Sequence, residues 1–186
     1  MLLPLDYFQK PTLEISKNLL GKFLIRKIGK KMHTGMITEV EAYIGMEDKA
    51  CHAARGKTTR NQVMFETGGV WYVYFVYGMY WMLNIVTEKK EFPAAILIRG
   101  IKTEEEHFNG PGKLTRHLKI DKQLNGLPAT AETGLWIEDQ GLHIPSKNIH
   151  QGKRIGINYA GEWKDKPWRF YIRTLIPKSY SIPFQT

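Results

Sequence analysis

The chain has 186 residues, 42% of them hydrophobic, with 27 Lys and Arg against 18 Asp and Glu for a formal net charge of +9. That length predicts one domain around a single core and excludes a disordered chain, and the basic excess suits a polyanionic partner because each neutralised phosphate releases counterions. The only cysteine, Cys51, excludes an intrachain disulfide and points to a reducing compartment; no stretch approaches the roughly 20 apolar residues that span a bilayer, and MLLPLDYFQK lacks the basic region and apolar run of a signal peptide. Charge alone leaves nucleic acid and an acidic membrane surface open.

In chain order, Thr12 to Leu20 is predicted as a short helix capped by Thr12 and stopped by Gly21. Lys22 to Ile28 and Met32 to Tyr43 read as strands joined at Gly29, Lys30 and Lys31. Asp48 to Ala54 reads as a helical turn and Gly56 to Asn61 as a basic loop. Val70 to Val76 and Met79 to Val86 form a predicted hairpin turning near Tyr77 and Gly78, since glycine tolerates the positive φ of such turns. Ala94 to Gly100 is a further strand, Thr103 to Phe108 a helix, and Gly110, Pro111 and Gly112 open a helix over Lys113 to Leu118. Leu135 to Glu138 and Arg169 to Ile176 are strands. Strands outnumber helices without regular alternation, which predicts a mixed α+β domain with no internal repeat or linker.

On a strand, Glu39, Glu41 and Tyr43 share one side. The segment is either a general base beside an aromatic platform or, more commonly for such a pattern, an exposed edge strand with solvated glutamates. His52 is within reach of the same site, although a lone histidine more often serves as a structural hydrogen-bonding group. Cys51 beside His52 does not form a nucleophilic dyad, because adjacent residues point apart. Tyr72 and Tyr74 share a hairpin face, while Tyr77 falls at the tip, where an exposed aromatic suits insertion between stacked bases. The stretch Gly110-Pro111-Gly112-Lys113 offers free backbone N–H groups at a helix start without Walker spacing. The histidines show no metal-ligand spacing, so neither a metal nor another cofactor is expected.

Taken together, EVEAYIGMEDKACH (39–52), TTRNQVMF (58–65), WYVYFVYGMYWMLN (71–84), AAILIRG (94–100), GPGKL (110–114) and AGEWKDKPWRFYIR (160–173) resemble the alkyladenine (3-methyladenine) DNA glycosylases of mammals and many bacteria. The motifs follow that family's order and cover nearly the whole chain. The resemblance implies a compact single-domain mixed α/β fold with an antiparallel sheet and a protruding, DNA-intercalating β-hairpin, the whole of 1–186 forming one catalytic domain. It implies that Glu41 activates water and Arg99 helps hold it; that Tyr43, His52 and Tyr74 enclose a flipped base; that Tyr77 is the wedge left in the duplex; that Asn84 disfavours guanine; that the Ile155 carbonyl contacts the water; and that Gly110, Pro111, Gly112 and Lys113 meet the DNA backbone. Arg99 is further expected to keep Glu41 ionised.

The implied activity is hydrolytic excision of alkylated or deaminated purines from double-stranded DNA, leaving an abasic site without lyase cleavage. The expected setting is a monomer in the cytoplasm of a bacterial cell, on the nucleoid when bound to DNA, with no membrane partner. Asn158 and Tyr159 depart from the mammalian pattern and bear on lesion preference. Two other readings are a nucleic-acid-binding module without catalysis, for which Glu41 and Arg99 have no use, and an RNA- or nucleotide-directed hydrolase.

Overall fold

The β-branched and aromatic run between Phe23 and Ile44 folds as a hairpin in the computed structural model, which describes residues 1–173. Strands β1 (Phe23–Ile28) and β2 (Lys31–Ile44) pair from Phe23 with Met36 to Ile28 with Lys31, and Gly29 takes the positive φ of 60° that the turn requires. The remaining strands are β3 (Trp71–Val76), β4 (Tyr80–Val86), β5 (Ala94–Lys102), β6 (His107–Asn109), β7 (Leu135–Glu138), β8 (Ile149–Gly152) and β9 (Arg169–Ile172). They form a nine-stranded sheet with a main path β3-β4-β5-β2-β1-β7. Every pairing between these strands is antiparallel.

Strand β2 is long enough to serve two neighbours on one edge. Its first half pairs with β1, while Glu39 to Glu41 pair with β9, and β5 runs along the other edge. Two short helices, α1 (Thr12–Asn18) and α2 (Pro111–His117), pack on the sheet, α1 against β2 and β5 and α2 against β4 and β5. The main core joins Phe8, Ile15, Leu24, Ile37, Trp71, Leu83, Ile96, Leu114 and Phe170, all but fully buried. A smaller cluster of Cys51, Met64, Phe65, Tyr72 and Val86 lies against Tyr43 and Tyr74. These elements agree with the predicted α+β class and antiparallel sheet.

Some local expectations differ. Thr12 is the first helical residue of α1 rather than its cap. Its N–H and hydroxyl both donate to Glu88 Oε1, at 2.7 and 2.9 Å, so a carboxylate far along the chain satisfies the helix start. Thr103 to Phe108 is not helical: the Thr103 hydroxyl and Glu106 close a tight turn, and Phe108 joins β6 opposite Ile101. Sheet pairing with β5 outweighs the helix propensity of three consecutive glutamates. The helical turn expected from Asp48 begins only at His52, because the Asp48 carboxylate is engaged elsewhere. The strand expected over Arg169 to Ile176 ends at Ile172, and its stretch beyond residue 173 lies outside the described residues.

Candidate active site

Glu41 sits in the middle of β2, opposite Leu97 of β5 and Arg169 of β9, and is 0% exposed. The solvated edge-strand alternative is thereby overturned. Its carboxylate accepts the Ile155 N–H at 2.8 Å and the Tyr43 hydroxyl at 2.9 Å. The Arg99 guanidinium lies 3.4 Å from Oε1 through Nε and 3.5 Å from Oε2 through Nη1. The same Nε is closer to Glu39, at 3.0 Å, and Arg169 reaches that Glu39 oxygen at 3.2 Å. Arg99 is therefore shared between two carboxylates, and Glu39 has a positioning contact of its own.

Burial pushes the Glu41 carboxyl above the ordinary carboxylate range, while Arg99, the Ile155 amide and the Tyr43 hydroxyl pull it back. Arg99 favours the ionised form, in the expected direction, but desolvation is the larger effect. Burial and the Glu41 charge together raise Tyr43 well above the normal phenol value, so Tyr43 remains a donor to Glu41.

Tyr43, Arg99 and Ile155, which hold Glu41, also line a cavity of about 290 Å³ together with His52, Tyr74 and Asn84. The structure thus brings together all the predicted pocket residues, from β2, the 48–52 segment, the β3–β4 hairpin, β5 and the 154–157 loop. Hairpin pairing sets Tyr72 opposite Asn84 and Tyr74 opposite Met82. Asn84 is 2% exposed and its Nδ2 donates to the Tyr72 carbonyl at 3.0 Å. The His52 Nδ1 lies 2.9 Å from the Tyr72 hydroxyl, and its ring meets Tyr74 edge-on with centroids 4.5 Å apart. Desolvation, then the Arg60 charge, lowers His52 to about 4, so the imidazole is neutral at neutral pH. Burial holds Cys51 as a neutral thiol, pushed up to about 12, which agrees with its reading as an inert core residue.

Tyr77 stands at the hairpin tip, 83% exposed, with a φ of 52°, and reaches the cavity rim. Gly110 caps α2, Pro111 touches the cavity, and Lys113 is exposed. Gly112 has a packing reason of its own: a Cβ there would sit 2.5 Å from the Tyr80 ring. Two features carried no signal in the chain. Tyr72, noted only for sharing a face with Tyr74, is the partner of both His52 and Asn84. Asp48 and Arg154, separated by 106 positions, form a buried ion pair beside the cavity. Tyr159, 71% exposed, stands at the rim. Among the described residues no group of three or more His, Cys, Asp and Glu is arranged to hold a metal ion, and no helix is long and apolar enough to cross a membrane.

A single α+β unit with a buried carboxylate beside an aromatic cavity is the architecture these residues define. The chain belongs to the methylpurine-DNA glycosylase family: the family model described as Methylpurine-DNA glycosylase (MPG) matches residues 6–175. The family comprises DNA glycosylases, hydrolases of N-glycosyl bonds that act in DNA repair. Relatives named "Putative 3-methyladenine DNA glycosylase" include one from Methanocella arvoryzae, 46% identical with 91% of each chain covered. Another, from Wolbachia pipientis, is 48% identical over 91% of this chain and 88% of its own. A third, from Legionella pneumophila, is 41% identical over 92% of this chain and 94% of its own.

Proposed function

We propose that this protein is a monofunctional DNA glycosylase that flips damaged purines out of duplex DNA and hydrolyses their N-glycosyl bonds. The observation that carries the reading is Glu41: a fully buried carboxylate held by an arginine, a backbone N–H and a tyrosine, each of which also lines one cavity. Extrusion costs a few kcal/mol, least for a damaged or mispaired base. Tyr77 enters the vacated space, and stacking there returns roughly 1–3 kcal/mol.

Tyr43, Tyr74 and neutral His52 receive the flipped base. Alkylated purines such as 3-methyladenine and 7-methylguanine are cationic, so aromatic faces attract them and an uncharged imidazole does not repel them. Hypoxanthine and ethenoadenine enter on shape and stacking. Asn84, fixed by the Tyr72 carbonyl, disfavours the exocyclic amine of guanine. Glu41 takes a proton from water as its oxygen bonds to C1′ and the base departs with the glycosidic electron pair. Arg99 and the Ile155 backbone orient that water, and the product is an abasic site. Among the described residues no lysine lines the cavity, in keeping with water rather than an amine as nucleophile. Gly110 to Lys113 meet the DNA backbone. The protein acts as a monomer on double-stranded DNA, in the bacterial cytoplasm and on the nucleoid.

Glu41→Gln is expected to lower single-turnover excision of hypoxanthine and 3-methyladenine by at least about 100-fold, the lower range of general-base contributions, while binding to abasic-site duplex persists. Retained excision sinks the assignment. The same assay on RNA carrying the same bases separates this activity from an RNA-directed hydrolase.

A further inference from the structure

Arg154 and Asp48 form an ion pair in which both side chains are 0% exposed. Nη1 donates to Asp48 Oδ2 at 2.5 Å and Nη2 to Oδ1 at 2.8 Å, a two-pronged arrangement that fixes the plane of the guanidinium. The same group donates to the Ala42 carbonyl at 2.9 Å and the Trp163 carbonyl at 3.2 Å. It lies 4.8 Å from the Tyr43 ring centroid and 5.1 Å from that of Trp168. Asp48 in turn accepts the N–H groups of Ile44 at 3.3 Å and Ala50 at 3.0 Å. Among the described residues, the Arg154 Nε, also buried, has no hydrogen-bond partner.

Such a pair is a poor source of stability. Desolvating two charges offsets most of their attraction, and an apolar replacement of the same shape often serves as well. What an apolar replacement does not supply is the geometry. Ala42, whose carbonyl the guanidinium holds, separates Glu41 from Tyr43 in β2. Ile155, the residue after Arg154, presents the N–H that meets Glu41 at 2.8 Å. Ala50, held by Asp48, lines the cavity with Ile155.

We propose that Asp48 and Arg154 are a positioning pair that keeps the Ile155 amide on Glu41 and the Tyr43 ring in the cavity wall. The inference rests on the reading of Glu41 as the general base. Neither residue touches the substrate. Lysine in place of Arg154 keeps the charge but loses the fork and the flat stacking face. The 154–157 loop then withdraws, Glu41 loses a donor that favours its ionised form, and its protonated form is favoured further. A misplacement of about 1 Å in such a group costs about 100-fold in rate.

The test uses Arg154→Lys and Asp48→Asn in the full chain, with thermal unfolding as the check on folding. Single-turnover excision of hypoxanthine is followed against pH and protein concentration, and the Glu41 carboxyl is titrated by ¹³C NMR. A folded variant is expected to lose about 100-fold of the saturated rate, with its half-saturating concentration little changed. The acid limb of its rate profile and the Glu41 titration are expected to move together to higher pH. A folded variant with the wild-type rate and Glu41 titration overturns the proposal. So does the failure of both variants to fold, which makes the pair structural. Wild-type protein that excises no damaged purine overturns the proposed activity instead, and the Glu41 titration in the variants still decides whether the pair positions it.

Discussion

Two titratable groups of the site, His52 and Glu41, answer pH with opposite signs. His52 is depressed from 6.5 to about 4, so below pH 6.5 the unfolded chain takes a proton that the folded one refuses. Its contribution is present above 6.5 and lost as pH falls toward 4. Glu41 is raised from 4.5, so its contribution is fully present below 4.5 and lost as pH rises through its folded value. His52→Gln is therefore expected to flatten the decline in stability between pH 6.5 and 4 by up to about 3 kcal/mol, at about 1.4 kcal/mol for each pH unit that separates the folded from the unfolded imidazole, as read from urea unfolding at several pH values. An unchanged decline rules out a neutral buried imidazole. On the proposed mechanism the acid limb of excision is expected to follow Glu41 and to lie above the ordinary carboxylate range. At this scale the chain reveals residue type but not environment: Glu41 and Glu39 are indistinguishable by alternation, and only the folded sheet makes one of them a fully buried carboxylate.

The β3–β4 hairpin stores conformational strain at its tip. Tyr77 and Gly78 both take positive φ, 52° and 65°, and the Met79 N–H closes the turn on the Val76 carbonyl at 3.1 Å. Glycine adopts this region freely, whereas a tyrosine there costs about 1–2 kcal/mol. Tyr77→Asn, a residue that tolerates the left-handed region, is expected to stabilise the fold by up to about 1 kcal/mol in urea unfolding. It is also expected to slow excision from duplex DNA more than from single strands. Equal slowing on both substrates removes the wedge role. The hairpin was legible because its alternation and its Tyr-Gly turn are local. The His107–Asn109 strand was not, because its pairing with β5 depends on contacts that no short window contains, and the Glu88 cap on α1 is hidden for the same reason.

Over the whole molecule, a net charge of +9 is expected to make duplex binding steeply salt-dependent, with log K falling against log salt by about 0.9 per neutralised phosphate. Fluorescence anisotropy across a salt series measures it, and a flat response excludes the basic surface from DNA contact. The pocket residues were legible through motifs, but the pair that braces them was not, since Asp48 and Arg154 are 106 positions apart and neither belongs to a periodic pattern. The same distance shapes the order in which a working molecule can come into being. Glu41 is complete only when Ile155 has reached it and β9 has paired along Glu39 to Glu41. A chain emerging from the ribosome N-terminus first carries Glu41, the β3–β4 hairpin and Tyr77 long before Ile155 and β9, which complete the setting of Glu41. Until Arg169 to Tyr171 have been made, Glu41 lacks the strand neighbour that closes its edge of β2.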